Sequence, residues 1–246
     1  MLDTQRIKKL AIVRMHVVDK LQMAVLVSLV YSASVFAQDM PVHWLHVGAM
    51  PPGAIGHQRV MRDGRLSGYC QPVEIRVSEG GRIAPAAGSN FSEGQRNNLL
   101  VGLHIGPVYR FCVTEIPDHP GLELFPTVEL VDRLYPPADQ KLRFPIPIEL
   151  TREELLLAAN GRFITRVIYL EDPQLAPAIA QDGEGQPWLE ARPGEDPLVM
   201  ADHLGRPMAI LRLGGRVPQN NQADAAFLYG APSGIVYERP PSPQPK

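Results

Sequence analysis

Along residues 71–77 (QPVEIRV) apolar and polar positions alternate, with Val73, Ile75 and Val77 on one face and Glu74 and Arg76 on the other. This period of two marks a half-buried strand. The run LRFPIPIEL reads the same way, with Leu142, Phe144, Ile146 and Ile148 inward and Arg143, Pro145, Pro147 and Glu149 outward. Its prolines delete neighbouring backbone donors from one edge, which puts this strand at the rim of a sheet. Leu99–Ile105 and Val108–Ile116, separated by Gly106-Pro107, form either a hairpin or one bent strand. Tyr109, Phe111 and Val113 share a face there, opposite Arg110, Cys112 and Thr114. A weak strand is expected at Arg82–Ala84, and further strands at Leu124–Val131 and in PMAILRL (207–213). Residues 162–170 (RFITRVIYL) are apolar on both faces, with Phe163, Val167 and Tyr169 on one and Ile164, Ile168 and Leu170 on the other. That pattern predicts a central strand.

Two helices interrupt these strands. Thr151 and Glu154 form a capping box, and Gly161 supplies a left-handed stop, so a helix runs close to Arg152–Asn160. Asp196-Pro197 reads as a cap followed by a first-turn proline, opening a second helix that ends before Gly205. Proline and glycine make up about a fifth of the 246 residues and favour short strands over long helices. The fold expected is mainly β: an antiparallel β-sandwich, immunoglobulin-like in the loose sense, with two short crossover helices.

The first 37 residues stand apart. A basic arm with Arg6, Lys8, Lys9, Arg14 and Lys20 precedes the apolar block Met23–Phe36, and Ala37 is followed by Gln38-Asp39. This is the pattern of an export signal cut after Ala37, the alternatives being a start at Met15 or Met23, or a retained anchor. The block is shorter than the about 20 apolar residues a membrane span needs. The organisation expected is a signal peptide at 1–37, an extended lead-in at 38–68 with a short strand near Val42–Val47, the β-sandwich at 69–216 and a disordered proline-rich tail at 217–246. The product is then periplasmic, in the cell envelope, or secreted.

Charge narrows the partners. Without residues 1–37 the chain keeps 19 basic and 24 acidic residues, a net of −5, and has no cluster of the kind that binds nucleic acid. Membrane contact arises only if the signal segment is kept as an anchor. Cys70 and Cys112 lie in strand-like runs of the exported part, where a disulfide between sheets is permitted; the alternative is two small buried hydrophobes.

Candidate chemistry is sparse. His43 and His46 flank Trp44 in H-W-L-H but have no Glu in the H-E-x-x-H arrangement and no evident third ligand, so no metal and no cofactor is implied. Asp118-His119 and Asp202-His203 each place a carboxylate beside an imidazole, yet neighbours in sequence rarely face each other and no G-x-S-x-G elbow exists. The long loop Asp172–Glu195 carries Trp188, which could present a stacking platform to a sugar or peptide; folding back over the sheets is the alternative, since Trp is on average highly buried.

The ordered phrases MPPGAIG, GYCQPVEI, GPVYR, RLYPP, LRFPIPIEL, FITRVIYLEDP and PMAILRLGGR resemble a group of uncharacterised exported proteins of planctomycete bacteria, over most of Met50–Arg216. The resemblance implies export and carries no assigned activity. A non-catalytic structural or interaction protein of the cell envelope is therefore expected, its partner an envelope protein or a glycan. A ligand-binding module using the 172–195 loop is the alternative, and a hydrolase a more distant one.

Overall fold

In the computed structural model, the described residues are 50–77, 80–175, 186, 188–192, 194–219 and 223–238. The signal segment, the Val42–Val47 strand and the H-W-L-H histidines lie outside them. Eleven strands are described: β1 (Cys70–Val77), β2 (Arg82–Ala87), β3 (Asn90–Phe91), β4 (Gln95–Arg96), β5 (Asn98–His104), β6 (Val108–Thr114), β7 (Thr127–Leu130), β8 (Ile146–Leu150), β9 (Ile164–Glu171), β10 (Gly205–Leu213) and β11 (Ile235–Val236). Three helices accompany them: α1 (Ala54–Arg62), α2 (Arg152–Ala159) and α3 (Pro197–Leu204).

The strands build a four-stranded sheet in the order β11-β5-β1-β8 and a seven-stranded sheet in the order β3-β2-β6-β7-β10-β9, with β4 also on β2. The protein is mainly β, as the alternation predicts. The larger sheet is antiparallel, whereas the smaller one is mixed, because β1 and β8 run parallel with Val73 opposite Ile146. One hydrophobic cluster draws on both sheets, taking Val73 and Ile75 from β1, Ile148 from β8, Phe111 from β6 and Leu211 from β10.

β8 lies at the rim, and Ile146 and Ile148 are buried between exposed or half-buried neighbours. The strand begins later than its alternation suggests: Lys141–Arg143 is a turn of 3-10 helix and Phe144 is exposed. The free edge is closed locally by Gln186, whose side-chain amide donates to the Pro147 carbonyl and accepts from the Glu149 N–H, as a neighbouring strand would. The capping box at Thr151 and the cap of Asp196 on the Leu198 N–H both form.

Four expectations change. β9 is the terminal strand of its sheet, not a central one, and Phe163 and Leu170 beside and within it are exposed. β5 and β6 do not pair; the chain crosses from one sheet to the other through Gly106-Pro107. The lead-in contains α1, and part of the presumed tail packs onto the domain. Ala223, Phe227 and Leu228 join Ala84, Cys112 and Phe125 in a second cluster, while β11 adds to β5.

These last two additions, together with α3, explain why the outward residues of the seven-stranded sheet are buried. Ile55 of α1 and Leu198 of α3 pack with Val131 and Ile210 on that face, and Phe227 lies over Arg110. Arg110, Cys112, Glu129 and Arg212 are all sealed beneath this cover.

Candidate functional site

Two charged centres dominate the structure. The first is Glu129, fully buried in β7. One of its oxygens accepts from the Gly56 N–H at 2.8 Å, and the other from the Gly53 N–H at 2.9 Å and from Arg212 Nη1 at 2.7 Å. α1 has no side-chain cap of its own, its N-cap being Gly53 in the left-handed region. A carboxylate from another element thus satisfies the free N–H groups and the positive end of that helix. The approach is close: a Cβ on Gly56 would lie 2.6 Å from the Leu130 carbonyl oxygen and 2.9 Å from Gly106 Cα.

The second centre opens to solvent. Tyr69, just before β1, and the irregular segment 133–137 after β7 line a cleft of about 460 Å³ with Asp139, Lys141 and Leu142. The segment is held by side chains rather than by a strand ladder. Asp132 Oδ1 accepts from the Arg133 N–H at 2.7 Å, and the buried Gln71 accepts from the Leu134 N–H at 2.8 Å. Arg133 and Tyr135 line the cleft, and Leu134, which lines it too, also packs against the core. The Arg133 guanidinium carbon lies 4.4 Å from the ring centres of both Tyr69 and Tyr135, and that of Arg206 lies 5.4 Å from Tyr135. Each such contact contributes about 0.5–1 kcal/mol where exposed and more where desolvated.

The nearby carboxylates are already engaged. Asp132 pairs with Arg59 at 2.6 Å and with Arg206 at 3.5 Å. Asp63 pairs with Arg65, whose hydrogen bond holds its carboxyl below the usual carboxylate range. Arg133 forms no ion pair among the described residues, and its Nε is buried with no protein acceptor.

The residues singled out from sequence fall elsewhere. Trp188 is 72 % exposed, so it does not fold back over the sheets, and it lines neither cleft. Cys70 and Cys112 are free thiols. Cys112 points into the outer cluster with Phe227, whereas Cys70 sits beside Gly102 and 3.6 Å from the Tyr237 hydroxyl, so the two face away from the shared core and cannot bridge it. Burial pushes the Cys112 thiol up to about 12. Asp118 lies in a second cleft of about 510 Å³ at residues 114–123, where its carboxylate pairs with Arg152 rather than with His119. His203 contacts the Val199 carbonyl in its own helix. Among the described residues no three His, Cys, Asp or Glu side chains gather into a metal-binding group, and no helix is long and apolar enough to cross a membrane.

Compared with known proteins, the sequence matches no protein family, no curated protein and no solved structure.

Proposed function

We propose that the protein is a non-catalytic recognition module of the cell envelope, an immunoglobulin-like sandwich whose contact surface is the Tyr69–Arg133–Tyr135 cleft. The observation that carries this reading is a guanidinium whose carbon lies 4.4 Å from the ring centres of two tyrosines at an open cleft and which makes no ion pair among the described residues, while the buried Glu129 and Asp132 are each matched to an arginine. Aromatic and arginine side chains held in this way are typical anchors of binding surfaces. Acid–base chemistry would need a titratable group within reach of a second one and of a reacting atom. The Asp–His neighbours are engaged with other groups instead. The export pattern of residues 1–37 supports an envelope location. The partner is an envelope protein or a glycan.

The test is a photo-crosslinking residue at position 135 in cells carrying the full chain, followed by fractionation. A discrete adduct in the envelope fraction, absent when the same residue replaces Leu157 on exposed α2, is expected. Turnover of any substrate by the purified chain, or the absence of an adduct at position 135, would overturn the reading.

A further inference from the structure

We infer that the Tyr69–Arg133–Tyr135 cleft binds the carboxylate group of an organic acid, with Arg133 as its anchor and Lys141 as a second cation. This inference rests on the recognition reading above and gives that site a ligand chemistry.

The argument begins with unmet hydrogen bonds. A guanidinium carries five N–H donors in a planar fork and cannot shed its charge, so taking it partly out of water without acceptors is costly. The Tyr69 and Tyr135 rings, each centred 4.4 Å from the guanidinium carbon, shield part of Arg133 from water, and its buried Nε has no acceptor among the described residues. The terminal nitrogens also lack protein partners among the described residues, though the side chain lines the cleft. The nearest carboxylates do not fill the role: Asp132 is shared by Arg59 and Arg206, and Asp63, which feels the charge of Arg133 without pairing with it, is hydrogen-bonded to Arg65. The donors of a guanidinium fork lie in its own plane, so a partner meets it there. Carboxylate and phosphate oxygens both meet such a fork with two parallel hydrogen bonds, so the choice between them falls to the rest of the cleft. Lys141 adds positive charge to the lining, against Asp139 alone. Leu142, Pro136, Pro137 and the 61 % exposed Tyr135 provide an apolar wall for the carbon body of the acid.

The test is NMR titration of the purified chain with benzoate, glutarate and inorganic phosphate, repeated on Arg133→Gln, Arg133→Lys and Lys141→Gln. The carboxylates should shift signals of residues 133–142 saturably, with phosphate weaker. Arg133→Gln should weaken the carboxylates by at least about tenfold, as expected for a lost charge-assisted pair. Arg133→Lys should recover only part, because the charge returns without the fork, and Lys141→Gln should cost a few-fold and reduce the salt dependence. Unchanged melting of Arg133→Lys shows that the site, not the fold, was altered. Phosphate binding tighter than the carboxylates, or carboxylate binding indifferent to position 133, would overturn the inference. If these fail while the adduct at position 135 still forms, the recognition reading stands and the ligand chemistry alone is wrong.

Discussion

Glu129 on β7, paired with Arg212 of β10, and Asp132 with Arg133 just after β7 are neighbouring charges, yet they are treated in opposite ways. At Glu129 the carboxylate meets two backbone donors and an arginine, in a space closed by α1. One nitrogen of that pair, Arg212 Nη2, has no protein partner. Three residues on, Asp132 is taken by Arg59 and Arg206, and the adjacent Arg133 is left beside two rings at an open cleft. The first arrangement trades solvation for internal bonds and so holds elements together. The second leaves a cation with no ion pair among the described residues, which contributes little to stability. The comparison teaches that an arginine's partners, more than its burial, separate scaffold from site.

The sharpest way to break this contrast is at the sealed centre. Glu129→Leu should strand Arg212 in a dry interior and uncap α1 together, and breaking a buried pair costs about 3–5 kcal/mol. Denaturant unfolding should register most of that range. The double variant Glu129→Leu with Arg212→Met should recover a large part, because no lone charge then remains buried. A single variant within about 0.5 kcal/mol of the parent, the ordinary scatter of surface changes, would show that the centre is not structural.

Gly56→Ala tests the same centre through packing rather than charge. The added methyl meets backbone, not a movable side chain, at 2.6 Å from the Leu130 carbonyl oxygen. α1 must shift away from Glu129, at the cost of about 1–3 kcal/mol typical of overpacking. Loss of protection of the Gly56 amide in hydrogen exchange would follow, and an unaltered exchange rate would contradict the close approach.

How much of this was legible follows from range along the chain. The helix at Arg152–Ala159 was readable because Thr151 and Glu154 satisfy each other locally, and the rim position of β8 because Pro145 and Pro147 report their own missing donors. α1 was missed because its cap comes from Glu129, 73 residues from Gly56. β9 looked central because apolar residues on both faces normally mean two covers, yet Phe163 and Leu170 are exposed. The tail read as unfolded for lack of apolar residues, but Phe227 and Leu228 need only complete a cluster that the sheet already supplies. The parallel pairing of β1 with β8 left no local mark. A signal for the buried centre did exist: Glu129 in FPTVELV and Arg212 in PMAILRL are single charges in otherwise apolar runs, and each requires a partner. For the cleft the hint was weaker, an Arg and a Tyr two apart in RLYPP, with Tyr69 supplied from 64 residues upstream.

The covered face makes a further prediction through pH. The Cys112 thiol ordinarily titrates at 9.0, but burial raises it to about 12 in the folded chain. The folded state therefore holds its proton more tightly than the unfolded one, and this contribution is complete below pH 9 and is lost as pH rises toward 12. Stability should decline across that window, and Cys112→Ala should flatten the decline after allowance for its own packing loss. Buried Tyr109, also raised by burial, adds to the slope that remains. Alkylation at neutral pH should spare Cys112 until the chain unfolds. Rapid native labelling at that position would mean that residues 223–230 do not seal the face.

The smallest effect on stability is expected at the residue proposed to anchor recognition. Arg133→Gln removes two ring contacts, each contributing about 0.5–1 kcal/mol at exposed sites, but it strands no carboxylate, since Asp132 keeps Arg59 and Arg206. Gln also spares the backbone bonds to Asp132 and Gln71 that hold residues 132–134 in place. Relief of the uncompensated Nε acts in the opposite direction, so the net change should stay within about 1 kcal/mol. Melting or denaturant curves of this variant beside Glu129→Leu measure the contrast directly. A loss at position 133 comparable with that at position 129 would place both arginines in the scaffold and remove the cleft's claim to be a site.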